Sequence, residues 1–323
     1  MQHKNFSKIT EIILTGFQNS QSLNYFYFLL LLVIYCVTVC GNLIIILVVA
    51  YSRLFHSPMY FFLTQLSFLD ILLSTTIVPN LLRILFHEGG FVSFFGCLTQ
   101  YHFFLASESL ECLLLTVMSY DRYQAICNPL HYTSIMDLTF CIKAILLCYL
   151  IMLVVILTFS VTMSHLDFCG PNIIDHFFCD FNPVLELSCS DTYLINIEGV
   201  VVCVPLVVCP FTLIIVSYVY IIATIMKIQS VTGRQKTFST CSSHLSVVSL
   251  YYGSLIASYL FPNEKSAKKT FSLFYTVITP LLNPIIYSLS NRHIKEALKR
   301  LFLKMCLAFK FCWLHDLSVL SVE

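Results

Sequence analysis

The fold turns on "GVVVCVPLVVCPFTLIIVSYVYIIATIM", Gly199 to Met226. The stretch carries no charged residue. It exceeds the ~20 mostly apolar residues that a helix needs to cross a bilayer. Its Pro205 and Pro210 are tolerable in lipid, because neighbouring helices re-satisfy the freed carbonyls. The same signature recurs on both sides of it. Apolar segments near 25–50, 58–84, 98–120 and 141–163 precede it, and segments near 238–261 and 271–289 follow, which makes seven candidate spans. Composition agrees. Of 323 residues, 58% are hydrophobic and 11% charged, where soluble domains carry about 25% charged residues. The net charge of +1 gives no footprint for nucleic acid. Residues 1–24 hold Lys4, Lys8 and Glu11 but no apolar core ending in small residues. No cleavable leader is therefore expected, and the first span serves as a signal anchor.

Charge in the connections sets the orientation. Arg53, Arg122, Lys143, Lys227, Arg234 and Lys236 fall in alternate connections or at their edges. Arg292, Lys295, Lys299, Arg300, Lys304 and Lys310 follow the last span. The long connection from Ser164 to Gly199 holds Asp167, Asp175, Asp180, Glu186, Asp191 and Glu198 with no Lys or Arg. The basic side is cytoplasmic, so the N-terminus is outside and the C-terminus inside, as seven spans require. Lys265, Lys268 and Lys269, between spans six and seven, break the trend on the outer side. The expected organisation is an outer segment 1–24, a seven-helix membrane domain 25–289, and a cytoplasmic segment 290–323. In that last segment Ile294, Leu298, Leu301 and Phe302 share a helical face opposite basic residues. It reads as an amphipathic helix on the inner membrane surface. Cys306 and Cys312 lie in the same segment.

With the N-terminus outside, Asn5 of "NFS" is an N-glycosylation acceptor. Most of the 15 cysteines lie inside spans, where Cys is a small hydrophobe. Cys97, Cys169, Cys179 and Cys189 lie on the oxidising outer side, and four cysteines allow three pairings.

"MSYDRYQAICNPLHY", Met118 to Tyr132, ends an apolar run in an acid and an arginine side by side. With "SY" at 217–218, "KTFSTCSSH" at 236–244 and "PLLNPIIYSL" at 280–289, it resembles the signatures of vertebrate olfactory receptors, which are rhodopsin-like G-protein-coupled receptors. "GN" at 41–42, "FHSPMYFFLTQLSFLD" at 55–70 and "HFFCD" at 176–180 extend the resemblance over nearly the whole chain. Gln124, Thr237 and Ser290 stand where such receptors usually carry Val, Ala and Arg. The resemblance implies a plasma-membrane, multi-pass odorant receptor. Its partners would be a small, mostly apolar odorant and a heterotrimeric G protein of the olfactory, cAMP-raising type.

Physical reading and resemblance meet at particular residues. Arg122 can pair with Asp121 in one state and swing to another partner in a second, which makes a two-state element. Resemblance implies that Arg122 contacts the G protein once the helices open. Tyr123, Tyr218 and Tyr287 belong to the same inner end, and Lys236, Thr240 and Ser243 or His244 form a polar face suited to docking a partner helix. Asp70 and Glu111 lie near mid-span, with Asn42 and Asn283 at similar depth. Two carboxylates in a dry bundle demand a proton or a cation, and resemblance implies a sodium site there. Pro284 leaves the carbonyl of Pro280 without its helical donor, so a hinge is expected at Asn283. Resemblance also implies the bridges Cys97–Cys179 and Cys169–Cys189.

Ligand-lining residues are expected in the outer halves: Leu105 and Glu108 in span three, Val202 and Leu206 in span five, Tyr252, Leu255 and Tyr259 in span six, and Thr276 in span seven. Mostly apolar walls with few polar groups suit small lipophilic ligands. Resemblance accounts for Glu111 but not for Glu108, one turn further out. Glu108 is expected to meet a cationic ligand, a hydroxyl ligand, or Ser107, Ser109 or a tyrosine of span six.

Other classes fit less well. HExxH, GxSxG and Walker patterns are missing from the sequence, and "HEGG" at 87–90 lacks the second His, so no enzyme is expected. A retinal protein needs a Lys within 271–289, where there is none. A transporter would show repeats or paired broken helices. Non-olfactory chemosensing on the same scaffold is the alternative, separable by site of expression.

Overall fold

A computed structural model describes residues 9–17, 20–51, 57–87, 89–260, 265–290 and 294–300. Asn5, Leu301, Phe302, Cys306 and Cys312 lie outside the described residues, as do the side chains of Lys236, Thr240 and Tyr259. The chain is an all-α membrane bundle. Its spans are α1 (Gln21–Tyr51), α2 (Pro58–His87), α3 (Phe94–Cys127), α5 (Leu138–Ser164), α7 (Tyr193–Met226), α8 (Val231–Leu260), and a composite seventh of α9 (Lys265–Leu273), a π-helical turn (Phe274–Ile278) and α10 (Thr279–Ser290). Short helices α4 (Tyr132–Ile135) and α6 (Phe181–Leu185) sit in the loops after α3 and α5. Every span outruns its apolar core by several residues. Hydropathy marks the lipid-facing stretch, whereas the backbone hydrogen bonds continue into the headgroup region.

Local chemistry sets the starts. Ser93 caps α3 by accepting from the Gly96 amide at 3.0 Å, and Asp137 caps α5 from the Phe140 amide at 2.7 Å. Pro58 opens α2 at the first helical position, where its missing N–H costs nothing. Burial then sorts the spans. Leu146, Leu150, Leu153 and Leu157 of α5 and Val200, Val204, Val208 and Val219 of α7 face outward, as lipid-facing side chains must. Among the described residues, six helices are long and apolar enough to cross a membrane by length and composition. The seventh, α8, is 30 residues long but polar at its inner end. Part of that polarity faces inward, at Ser243 and His244. Part is absorbed by its own backbone: Ser242 donates to Ser239 O at 2.9 Å and Ser246 to Ser242 O at 2.8 Å.

The outer end carries a lid that the span pattern does not announce. Strand β1 (Glu11–Leu14) lies between β2 (Gly90–Ser93) and β3 (Ile173–Ile174). It runs antiparallel to β2, with Glu11 opposite Ser93, and parallel to β3, with Ile13 opposite Ile173. Its inward residues Ile12 and Leu14 join Ile84, Tyr101, Phe159 and Ile174 in an outer core. Disulfides Cys97–Cys179 and Cys169–Cys189 tie the long loop to the top of α3 and to itself. Gly16 leaves β1 at φ +62°, and a Cβ there would stand 2.5 Å from Ile84 Cγ2. One of the basic residues expected to break the outer charge pattern, Lys269, has a partner here. Lys269 Nζ donates to Asp175 Oδ1 at 2.6 Å and to Gly16 O at 2.8 Å.

Span seven also carries an irregular turn that its sequence does not announce, the π segment Phe274–Ile278 before Pro280. The expected amphipathic helix after span seven is seen over 294–300, with Ile294 and Leu298 packed against the inner core and Lys295, Lys299 and Arg300 exposed.

Candidate functional site

At the inner end, the last turns of α3 place Asp121 and Arg122 inside the bundle. Arg122 Nε donates to Asp121 Oδ2 at 2.9 Å, and a second guanidinium nitrogen meets the same oxygen. Tyr132, from α4, donates its hydroxyl to Asp121 Oδ1 at 2.8 Å. Burial, and then the adjacent Asp121 charge, push the Tyr132 phenol up, so it stays a donor. Met59, Met118, Asp121, Arg122, His244 and Tyr287 enclose a small space above this pair. Tyr218 of α7 hydrogen-bonds His244 Nδ1 of α8 at 2.8 Å, with the rings stacked within 8°. Tyr123 meets Tyr220 edge-on at 6.0 Å. Arg122, Tyr218, His244 and Tyr287 thus come together, closed over by their neighbours.

The polar core lies deeper. Asn283 Nδ2 donates to Asp70 Oδ1 at 3.0 Å and to Oδ2 at 3.1 Å. Glu111 interacts electrostatically with Asp70 and meets the Asn283 side chain. The carbonyl freed by Pro284 finds a donor from another helix: Asn42 Nδ2 reaches Pro280 O at 3.1 Å. Gly41 makes that approach close enough, since a Cβ on it would stand 3.3 Å from Pro284 Cγ. Glu111 Oε1, Asn283 Oδ1 and Asn42 Oδ1 are buried without hydrogen-bond partners among the described residues. Such orphaned oxygens are the donor type that a hard cation takes.

In the outer half, Leu105, Val202 and Leu206 are partly buried against the outer core. Tyr252 joins the neighbouring core, tilted 31° against Phe211 with ring centroids 4.7 Å apart, and Leu255 is partly buried against the same core. Thr276 is fully buried and donates to Ser272 O at 2.6 Å, so its hydroxyl is spent on its own helix. Glu108 accepts at Oε2 from Tyr251 of α8 at 3.0 Å, one of the partners its sequence position leaves open. Ser107 turns away to Phe103 O at 2.9 Å. Above them, His176 is stacked on Phe177 at 4.7 Å and meets Phe178 edge-on at 4.6 Å. Burial, then Lys268 and Lys269, push its imidazole down to about 3.

Sequence reasoning missed Tyr132 as the second holder of Asp121 and the Asp175–Lys269 link, and it named the partner of Glu108, Tyr251, only as one tyrosine of span six among several candidates. Tyr132 stands inside the quoted Met118–Tyr132 stretch. The other two had no local signal, because each pairs residues far apart in the chain.

Known proteins agree with this geometry. A family profile described as olfactory receptor matches residues 31–305. Human olfactory receptor 11L1 is 42% identical over 309 residues, covering 95% of this chain and 96% of its own. Rat olfactory receptor 1468 is 44% identical over 312 residues, covering 96% and 99%. Human olfactory receptor 10A7 is 45% identical over 300 residues, covering 92% and 95%. Seven spans, an outer lid and an arginine held at the cytoplasmic mouth thus meet in a chain that belongs to the olfactory receptor family, multi-pass membrane proteins that are not enzymes.

Proposed function

We propose that the chain binds small, mostly apolar odorants between the outer halves of its helices and activates a heterotrimeric G protein of the stimulatory, cAMP-raising type. The observation that carries this reading is the arrangement at Arg122. A cation held by Asp121, with Tyr132 steadying that carboxylate, sits beneath the Tyr218–His244 pair that joins α7 to α8. Ligand-driven separation of α3 from α8 would free Arg122 to meet the G protein, an order of events with two discrete packings. Asp70, Glu111 and Asn283 would hold a sodium ion, which would supply a fixed positive charge among buried oxygens and favour the closed packing.

The test is Arg122→Ala in cells with a cAMP readout. Agonist-driven cAMP is expected to fall to the level of untransfected cells while surface expression stays measurable. Full signalling by that variant overturns the switch.

A further inference from the structure

We propose that Glu108 is a charged anchor for ligands whose polar end is a primary amine, seated on its oxygen Oε1. The proposal rests on the reading that odorants enter the outer half of the bundle, and it names the class of ligand that this chain favours there.

The two oxygens of Glu108 are unequal. Oε2 accepts from the Tyr251 hydroxyl at 3.0 Å. Oε1 is shut away from water and has no hydrogen-bond partner among the described residues. Tyr251 cannot serve both oxygens. Its one proton already has Glu108 Oε2, the Glu108 carbonyl at 3.2 Å and Cys112 Sγ at 3.1 Å around it. No Lys, Arg or His forms an ion pair with Glu108 among the described residues. The next acids inward share an amide: Asp70 has both oxygens on Asn283, and Glu111 meets the same Asn283 while its own Oε1 is likewise without a partner among the described residues. Asp70 and Glu111 are 1% and 2% exposed, whereas Glu108 is only partly buried. Of these three span carboxylates it is the one nearest the outer end.

An ionised carboxylate in apolar surroundings is costly until a charge pairs with it. An ammonium supplies both the charge and the donors, and such bonds are roughly twice as strong as neutral ones. An alcohol offers a donor without the charge, and an ester offers neither. One turn further out, Leu105, Val202 and Leu206 are each partly buried against the outer core, apolar surroundings that suit an alkyl chain.

The experiment uses the full chain purified in detergent. A dye that reacts with newly exposed cysteines reports its melting temperature. The probes are linear primary alkylamines, alcohols of the same chain length and the matching methyl esters. Amines are expected to stabilise the parent at concentrations about tenfold below those the alcohols need. Glu108→Gln should raise the amine concentration required by about tenfold or more and leave the ester response unchanged. Tyr251→Phe should keep amine stabilisation, since Oε1 is untouched. If Glu108→Gln is not recovered folded, Glu108→Asp replaces it and should keep the amine-over-ester preference. Amines that fail to stabilise the parent, or that stabilise Glu108→Gln equally, overturn the anchor. Loss of the preference in Glu108→Asp does the same. Cellular cAMP separates this outcome from the receptor reading. Esters that signal while amines leave the parent's melting unmoved defeat the anchor alone. Amines that raise the melting temperature through Glu108, with no probe of any class raising cAMP, defeat the receptor reading alone.

Discussion

Asp121 holds two groups at once, the Arg122 guanidinium and the Tyr132 hydroxyl. Replacing it with Asn keeps its shape and removes the charge that makes both bonds strong. Hydrogen bonds to charged groups contribute about 1.5–3 kcal/mol against about 1 for neutral ones. If only about 1 kcal/mol of that difference biases the closed packing, the open population rises roughly fivefold. Asp121→Asn is therefore expected to raise ligand-free cAMP several-fold over the parent at matched surface expression, and unchanged basal cAMP would show that Asp121 does not hold the switch shut. Asp121 and Arg122 were legible in the sequence because they are neighbours on a helix end. Their holder Tyr132 was not singled out, although it stands in the same quoted stretch. Glu108 shows the same limit. Its unusual position could be read, but the choice among serines, tyrosine and ligand depends on which face of α8 turns toward α3.

At the scale of elements, hydropathy located all seven spans and understated each. It also found span six, whose helix α8 is the one least marked by apolarity, because apolar residues outweigh polar ones from 238 onward. Span seven was legible only in part. The freed Pro280 carbonyl follows from Pro284 alone, whereas its new donor Asn42 comes from 238 positions away. The π turn before Pro280 has no such rule behind it. This donor can be tested. Asn42→Ala leaves Pro280 O buried and unpaired, which costs about 1–3 kcal/mol and should lower the melting temperature by roughly 3 °C or more. Pro284→Ala restores a backbone N–H for the same carbonyl. In that background Asn42→Ala should cost clearly less than in the parent. Equal losses in both backgrounds would show that Asn42 stabilises span one and not the proline turn.

At the scale of the whole molecule, the lid joins three distant parts of the chain, and this explains why the sequence was silent about it. The strand "EIIL" at 11–14 is too short to stand out by alternation, and its partners lie near residues 90 and 173. Asp175 is the junction: it accepts from Thr15 Oγ1 at 2.8 Å and from Lys269 Nζ at 2.6 Å, so the N-terminal strand, the disulfide-pinned loop and span seven close together. Buried beside this junction, His176 makes the lid sensitive to acid. Its imidazole falls from 6.5 to about 3, first through burial and then through Lys268 and Lys269, with Asp175 opposing them. The neutral ring is thus favoured in the folded state, while the unfolded chain takes up a proton below about pH 6.5. The folded state consequently binds fewer protons between about 3 and 6.5, and stability falls as pH drops through that window. Each unit of pH is about 1.4 kcal/mol, so by pH 5 the loss reaches roughly 2 kcal/mol. Above about pH 7 the contribution is complete and flat. His176→Phe preserves an aromatic ring to stack on Phe177 and meet Phe178 edge-on, and removes the titration. Melting of the purified parent and of this variant, followed from pH 7.5 to 5, should give curves that run together at the upper end and separate below about 6.5, with the parent losing more. Parallel curves over the whole range would mean that the lid stays closed with His176 charged.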